Sequence, residues 1–220
     1  MRSISDEAIR VSDRMLVDRY TQRLLRFGDA PQTLGWDTRA HQDTRFAIAL
    51  SLATFYGKSV LDVGCGLADF HTFLYGNGIH IRSYTGIDIN EHLLARCRLK
   101  HPAATFVLGN ILLDDPPEHS YDIVVAFGLV NFRFKDFSAA DYADTLLQRT
   151  FDLCRDTAVV DALSERRDNA YAAESFVHYH APAELLTKAL AITPHVALRH
   201  NYTSIPQREL MLAMHRTPRE

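Results

Sequence analysis

The sequence predicts an α/β protein: a Rossmann-like sheet of seven mostly parallel strands, with helices on both faces and an antiparallel C-terminal strand. Three observations carry this prediction. From about residue 40 onward, apolar runs of strand length alternate with segments of helical periodicity. The apolar run 59–63 leads directly into Gly64 and Gly66, which mark a tight turn between a strand and a helix. The last two strand-like segments have no helical segment between them, so we expect them to form a hairpin.

The predicted elements follow one another through short connections. Helices are predicted at residues 5–29, 39–56, 67–76, 90–100, 139–154 and 182–191. Strands are predicted at residues 59–63, 83–88, 104–108, 121–127 and 157–163, and the final hairpin at 195–202 and 209–216. Gly28 and Pro31 end the first helix, Asn90 caps the helix that follows it, and Pro182 begins the last helix.

The composition argues against several classes of protein. A chain of 220 residues is long enough for one domain with a complete core. A net charge of −3 leaves no basic surface for nucleic acid, and no apolar run approaches the length of a membrane span. The N-terminus is too polar for a signal peptide. Cys65, Cys97 and Cys154 are odd in number and widely spaced, which indicates reduced thiols in the cytoplasm. No pattern indicates an oligomeric state.

A glycine turn followed by a strand-end acid predicts a nucleoside pocket at the carboxyl ends of the strands. Asp88 ends the second strand, where its carboxylate can accept hydrogen bonds from both hydroxyls of a ribose. A dinucleotide site would have a third glycine where this chain has Asp69. A carboxylate there repels a pyrophosphate but accepts from an ammonium group. The pocket is therefore predicted to bind a nucleoside with a cationic tail, and S-adenosylmethionine has this chemistry.

Four segments of the chain resemble the class I S-adenosylmethionine-dependent methyltransferases. They are VLDVGCGLADF at 60–70, YTGIDIN at 84–90, FVLGNIL at 106–112 and YDIVVAFGLVNF at 121–132. They occur in the order and at the spacing of that family, and the resemblance is good over residues 40–163. It implies S-adenosylmethionine as cofactor and a single domain over residues 1–220. In that domain, residues 1–39 form an N-terminal helix and a capping loop, and residues 40–220 form the catalytic core.

The residues expected to contact the cofactor lie at the predicted strand ends and in the N-terminal region. They are Tyr20, Trp36, Asp62, Gly64, Gly66, Asp69, Asp88, Ile89, Asn110, Ile111, Ala126 and Phe127. The two glycines line the amino acid end of the cofactor, and Asp62 holds the turn through backbone N–H groups or contacts the cofactor as well. Asp69 either orients the cofactor amine or only caps a helix.

The remaining cofactor residues have expected roles at the adenine and at the sulfonium. Ile89 and Ile111 cover the adenine, and Asn110 accepts from its amino group in place of the aspartate that the family often has. The alternative is a loop asparagine beside a core isoleucine. The backbone of Ala126 and Phe127 lines the sulfonium region. Tyr20 and Trp36 close the pocket with aromatic faces that stabilise a sulfonium, although Tyr20 could serve helix packing instead.

No motif identifies the chemistry of the reacting centre. Methyl transfer is an in-line displacement that mainly needs alignment, and the chain shows no NPPY-like turn and no metal-ligand motif. His178 and His180 are expected to face opposite ways, so no metal is predicted. The candidate catalytic residues are Asn131 in the turn after the fourth strand, Tyr171 in the loop 164–180, and Ser204 in the final hairpin turn. Asn131 could orient an amine or a carboxylate, or be an ordinary turn residue.

The sequence leaves three functions open. The leading one is methylation of a small-molecule acceptor, because no additional domain is present to bind a macromolecule. The second uses the cofactor as the sole substrate: its α-amine attacks its own γ-carbon, which yields azetidine-2-carboxylate and releases 5′-methylthioadenosine. The third is a non-enzymatic sensor or subunit, which would bind the cofactor without turnover.

Overall fold

The computed structural model describes residues 4–166, 172–203 and 208–219. The helices are α1 Asp6–Phe27, α2 Arg39–Leu52, α3 Asp69–Gly76, α4 Glu91–Lys100, α5 Ala139–Leu153 and α6 Pro182–Ile192. The strands are β1 Ser59–Val63, β2 Ser83–Asp88, β3 Thr105–Leu108, β4 Tyr121–Ala126, β5 Cys154–Leu163, β6 Val196–Arg199 and β7 Glu209–His215. Two short 3₁₀ turns lie at Pro31–Leu34 and Leu129–Asn131.

Every predicted element is present, and the differences lie at the ends. Strand β5 begins at Cys154 rather than at 157, because α5 ends at Leu153 and the strand follows without a loop. Strand β6 is only Val196–Arg199, shorter than the predicted 195–202. It is an edge strand that pairs with β7 alone, so it extends only as far as that ladder.

The seven described strands form one sheet in the order β3-β2-β1-β4-β5-β7-β6. Strands β1 to β5 pair in parallel, and β7 runs antiparallel to both β5 and β6. The predicted fold class, including its antiparallel C-terminal strand, is confirmed. The chain moves outward from β1 through β2 to β3 and then returns to the other side of β1 with β4. A crevice therefore opens between the carboxyl ends of β1 and β4, where ligands of doubly wound sheets bind.

The core has two layers, one on each face of the sheet. All five residues of β1 are buried, as expected of a central parallel strand. Leu61 contributes to the layer beneath α5 and α6, whereas Val60 contributes to the layer beneath α2, α3 and α4. Helices therefore cover both faces, as the sequence predicts. Among the described helices, none combines the length and apolar character that a membrane span requires.

Helix α1 packs against the glycine turn and α4. Leu24 of α1 forms a small apolar cluster with Leu67 and Leu93. The side-chain amide of Asn90 donates to the carbonyl of Val17 at 3.2 Å and to the hydroxyl of Thr21 at 3.1 Å. The same asparagine caps α4 by accepting from its first backbone N–H groups. One residue thus starts α4 and fastens α1 over the strand ends.

Candidate functional site

A cavity of about 600 Å³ lies at the carboxyl ends of β1, β2 and β4, beneath α1. Eleven of the twelve residues predicted to contact the cofactor line it: Tyr20, Trp36, Asp62, Gly64, Gly66, Asp69, Asp88, Ile89, Asn110, Ile111 and Phe127. Asn131 also lines the cavity. Tyr171 and Ser204 lie outside the described residues, so their predicted roles stay predictions.

Ala126 is the exception, because it does not line the cavity. It is the last residue of β4, completely buried between Val63 of β1 and Val160 of β5. The chain leaves the sheet only after it, so Phe127 and Gly128 form the wall. The structure therefore gives no support to the expected position of the Ala126 backbone at the sulfonium region.

The two glycines of the turn make room for the cavity walls. Gly64 and Gly66 have φ values of 66° and 56°, which residues other than glycine rarely adopt. A Cβ on Gly64 would collide with Leu129, and a Cβ on Gly66 would lie 2.7 Å from Leu34. The missing side chains thus let Leu129 and the N-terminal segment approach the turn from both sides.

Asp88 ties the glycine turn to the end of β2. Its Oδ2 accepts from the N–H of Gly66 at 2.9 Å, and its Oδ1 accepts from the N–H of Asn90 at 2.9 Å. Burial raises the pKa of Asp88, and these backbone hydrogen bonds oppose the rise. Each carboxylate oxygen keeps a second lone pair, so Asp88 can still accept from two hydroxyl groups. Its position suits the predicted ribose contact.

Asp62 has a different partner from the one expected. It receives a hydrogen bond from the hydroxyl of Tyr84, and no described backbone N–H of the turn donates to it. The turn is held instead by the carbonyl of Ile87, which accepts from the N–H groups of Gly64 and Cys65. Burial raises the pKa of Asp62 to about 7, opposed by the Tyr84 bond and reinforced by the nearby acids. The cavity therefore has a carboxyl group that titrates near neutral pH.

Asp69 forms a closed polar cluster with two residues at the start of α2. Its Oδ1 lies 2.8 Å from Nη1 of Arg39, and its Oδ2 accepts from Nε2 of Gln42 at 3.0 Å. Arg39 also donates to Oε1 of Gln42 at 2.8 Å. The helix cap is Ala68, without a side-chain bond, so the capping alternative for Asp69 is wrong. Its buried Oδ1 also lies 3.7 Å from Nζ of Lys100, so two cations face this oxygen, and the expected contact with a cofactor amine stays a prediction.

Both the oxygen and the nitrogen of the Asn110 side-chain amide have hydrogen-bond partners within the protein. Its Oδ1 accepts from the N–H of Leu112 at 2.9 Å, and its Nδ2 lies 3.0 Å from both carboxylate oxygens of Asp13 on α1. One lone pair of Oδ1 is thus taken and one remains, so the expected contact between the Asn110 side chain and an adenine amino group stays a prediction. Asp13 lines the cavity at this end, and the sequence analysis missed it because a lone acid on a helix carries no signal.

The aromatic residues of the cavity wall are partly covered by neighbours. The Tyr20 ring meets Phe132 edge-on, with centroids 6.3 Å apart, and burial raises its pKa to about 12. The guanidinium carbon of Arg45 lies 3.7 Å from the centroid of the Trp36 ring. One face of Trp36 is thus already stacked on a cation. Trp36 still lines the cavity, so its expected role at a sulfonium stays a prediction for the part of the ring that Arg45 does not cover.

Arg45 is the centre of a buried ionic cluster that the sequence analysis missed. Its two terminal nitrogens pair with Asp161 of β5 and Glu209 of β7, and all three side chains are buried. Asp161 also accepts from the N–H of Gly128 at 2.5 Å. The cluster therefore joins α2, the ends of β5 and β7, and the turn after β4. The available signal was Asp161 itself, because an acid within the apolar run Val-Val-Asp-Ala-Leu requires a buried partner.

Asn131 fastens the turn after β4 to two neighbouring segments. Its Oδ1 accepts from the N–H of Leu163 at 2.7 Å, and its carbonyl accepts from the N–H of His178 at 2.8 Å. Its amide nitrogen, by contrast, makes no hydrogen bond to any described residue. Asn131 therefore has a structural role in the turn. Its amide N–H groups are still available to a ligand, so the expected role in orienting a substrate stays a prediction.

The two histidines after β5 touch each other, contrary to the expectation that they face opposite ways. The rings of His178 and His180 are 4.5 Å apart and edge to face, because the segment makes only single bridges and is not a regular strand. His180 Nε2 bonds to the carbonyl of Val130 at 2.8 Å, and burial lowers the pKa of both histidines. The described part of the chain shows no group of three or more potential metal ligands.

Comparisons with known proteins agree with this geometry. Residues 60–149 match the family described as methyltransferase domain. The phthiotriol/phenolphthiotriol dimycocerosates methyltransferase of Mycobacterium tuberculosis is 36% identical over 74 residues, which are 31% of this chain. The match spans only 26% of that relative's length.

Two solved structures share the fold over almost the whole chain. Magnesium protoporphyrin IX methyltransferase of Synechocystis PCC 6803, with bound S-adenosylmethionine, has a TM-score of 0.67 and 14% identity, and covers 99% of this chain and 100% of its own. Phosphoethanolamine N-methyltransferase 1 of Haemonchus contortus, in complex with phosphoethanolamine and S-adenosylhomocysteine, has a TM-score of 0.66 and 16% identity. It covers 96% of this chain and 50% of its own. The fold is that of S-adenosylmethionine-dependent methyltransferases, and S-adenosylmethionine is the cofactor that the matched family uses.

Proposed function

We propose that this chain is an S-adenosylmethionine-dependent methyltransferase that acts on a small molecule. The observation that carries the proposal is the continuity of one cavity. The Asp88 carboxylate, the glycine turn and the aromatic residues Trp36 and Phe176 all line this one cavity. A nucleoside site and apolar wall residues thus share one cavity, and a two-substrate transfer needs both substrates in one space.

The residues present fit the cofactor. Asp88 would hold the ribose, Ile89 and Ile111 would cover the adenine, and the amino acid end would lie along Gly64 and Gly66. Asp69, which lines the cavity, would face the ammonium group there together with its ion-pair partners Arg39 and Lys100. When bound, the cofactor supplies an activated methyl group on a sulfonium.

The protein's own contribution would be alignment and exclusion of water. Helix α1 and the segment 172–177 contribute residues to the cavity wall, among them Tyr20 and Val177. Arg133 holds that segment by donating from its backbone to Phe176 at 2.9 Å and from Nε to the carbonyl of Val177 at 2.8 Å. A cavity of about 600 Å³ suits a metabolite-sized acceptor.

The test is incubation of the purified protein with S-adenosylmethionine, first alone and then with a panel of small-molecule acceptors, followed by mass spectrometry. S-adenosylhomocysteine together with a methylated acceptor would support the proposal. Protein-dependent 5′-methylthioadenosine with azetidine-2-carboxylate, from the cofactor alone, would replace methyl transfer with cyclisation. The comparisons give that alternative no support. Binding of the cofactor without any product across the panel would favour the sensor or subunit.

Replacement of Asn131 by Asp is expected to lower the turnover number by about tenfold or more while cofactor affinity stays within about twofold. The carboxylate keeps an oxygen for the N–H of Leu163 but removes the donor that faces the cavity. Steady-state kinetics and calorimetry measure the two effects separately. Asn201→Asp, at an exposed position, is the control. Unchanged turnover in N131D would make Asn131 a purely structural residue.

Binding of S-adenosylmethionine is expected to strengthen about tenfold between about pH 6 and pH 8. The pKa of Asp62 is raised to about 7 by burial, and a cationic ligand nearby favours its ionised form. Below that pKa, binding must release a proton from Asp62, so affinity falls as the pH falls. S-adenosylhomocysteine lacks the sulfonium charge and should show a flatter profile. Calorimetric titrations test this, and an equally steep profile in Asp62→Asn would contradict it.

A further inference from the structure

Asp13 is a carboxylate of helix α1 that points into the proposed cofactor cavity. It shares the inward face of α1 with Leu16 and Tyr20, three and seven residues further along, and all three line the cavity. Asp13 is half-buried, and no cation among the described residues lies within ion-pair distance of it. Its hydrogen-bond partner is the neutral amide of Asn110, 3.0 Å from both of its oxygens. Asp13 therefore forms no ion pair among the described residues, and burial raises its pKa, although the hydrogen bond from Asn110 and the charge of Arg10 lower it.

The orientation of Asn110 is determined by its neighbours. The N–H of Leu112 donates to Oδ1, so Nδ2 must face the carboxylate of Asp13. The backbone N–H of Asn110 is also taken, because it donates to Oδ2 of Asp114 at 2.7 Å. Asn110 therefore holds the side chain of Asp13 in place. The two oxygens of Asp13 keep one lone pair each and carry the negative charge, whereas Asn110 keeps one lone pair on a neutral oxygen.

The position of Asp13 suits the outer edge of a purine. Asp88 ends β2, and Asn110 follows β3, the next strand toward the edge of the sheet. The two acids are close enough that the charge of Asp13 raises the pKa of Asp88. A nucleoside whose ribose lies on Asp88, with its base between Ile89 and Ile111, would direct the outer edge of that base toward the Asp13–Asn110 pair.

We propose that Asp13 recognises the adenine of the cofactor by accepting a hydrogen bond from its 6-amino group, and so distinguishes adenine from 6-oxo purines. This inference rests on the proposed function, because it assumes that the nucleoside cofactor binds in this cavity. An ionised carboxylate only accepts hydrogen bonds, and the 6-amino group donates. A 6-oxo purine presents a carbonyl oxygen at the same place, so two acceptors would face each other. At position 6 the carboxylate would then face an acceptor instead of a donor.

The experiment compares the binding of S-adenosylhomocysteine with that of its 6-oxo analogue, S-inosylhomocysteine, by calorimetry. The wild-type protein is expected to prefer the adenine compound by at least about tenfold. Asp13→Asn is expected to lose most of this preference, because its amide can donate to the 6-oxo group. Asp18→Asn, at an exposed position of the same helix, should keep the wild-type ratio. A wild-type ratio in D13N would overturn the proposal.

A second variant separates recognition from damage to the fold. The double exchange Asp13→Asn with Asn110→Asp reverses the pair, so that position 110 supplies the carboxylate and position 13 the amide. It is expected to restore the preference for adenine, and a double variant that folds but discriminates no better than D13N would contradict the proposal. Failure of the wild-type protein to bind S-adenosylhomocysteine or S-adenosylmethionine at all would instead overturn the proposed function. Amide hydrogen exchange provides an additional measurement: cofactor binding should protect α1 in the wild type and less so in D13N.

Discussion

Arg45→Met is expected to lower the free energy of unfolding by about 3–5 kcal/mol at neutral pH. The side chain is buried and pairs with two carboxylates, those of Asp161 and Glu209. Methionine fills a similar volume but takes the guanidinium away from two buried acids, and the loss of a compensating charge beside a buried acid costs several kcal/mol. The variant also loses the stacking of the guanidinium on Trp36. Chemical denaturation with an unchanged m-value measures the effect.

The loss in this variant should depend on pH in a defined direction. Burial raises the pKa of Asp161, and Arg45 opposes that rise in the wild type. Without Arg45 the pKa of the buried acid rises further above its unfolded value, so the folded state takes up protons more readily as the pH falls. The deficit relative to wild type should therefore shrink between about pH 8 and about pH 5. A deficit that grows toward low pH would contradict this account of the cluster.

Two control variants define what the Arg45 result means. Arg14→Met removes an arginine whose side chain is 65% exposed and paired with Glu7, and it should change stability by less than about 1 kcal/mol. The triple variant Arg45→Met, Asp161→Asn and Glu209→Gln removes all three charges, and it should recover part of the stability lost in R45M. If R45M lost no more than R14M, the cluster would not be the clamp that the geometry indicates.

Asp88→Asn is expected to weaken binding of S-adenosylmethionine by at least about tenfold, on the order of the 1.5–3 kcal/mol of hydrogen bonds to a charged group. The amide keeps one oxygen but presents an NH₂ group where the carboxylate accepts from the N–H of Gly66 or of Asn90. The variant thus loses charge-assisted contacts to the ribose and loosens the turn at the same time. Asparagine is a milder change than alanine, which would leave both N–H groups unpaired.

The binding measurement for Asp88 needs a stability measurement beside it. Thermal unfolding without ligand shows whether the turn survives the change, and calorimetry then gives the affinity of the folded variant. Asp136→Asn, at an exposed position outside the cavity, is the matched control. A variant that folds normally and binds the cofactor as tightly as wild type would remove the ribose role of Asp88.

The fold and the centre of the cavity follow from local patterns. The strand 59–63, the two glycines and the acid at the end of the next strand are all within one βαβ unit. In such a unit, strand period, turn chemistry and short connections determine which residues reach the carboxyl ends of the strands. The expected residues at the ends of β1 and β2, from Asp62 to Ile89, line the cavity for this reason. Ala126 does not line the cavity, because the exact end of a strand depends on its pairing with both neighbouring strands.

The partners of those residues could not be predicted in the same way. Asn110 meets Asp13 across 97 positions of sequence. Asp62 was expected to accept hydrogen bonds from the adjacent turn, but it accepts one from the hydroxyl of Tyr84 on the neighbouring strand. Each of these contacts depends on the direction in which one element packs against another, and the spacing of residues along a chain does not carry that information.

The sequence by itself determined the α/β sheet, the position of the glycine turn, and the acid at the end of β2, because each depends on residues close together in the chain. The tertiary structure alone decided which charges are buried together and which polar atoms remain free. Arg45, Asp161 and Glu209 come from α2, β5 and β7, and Asp13 reaches the cavity only because α1 packs over the strand ends. A buried charge needs a partner, but only the packing of distant elements decides which residue provides it.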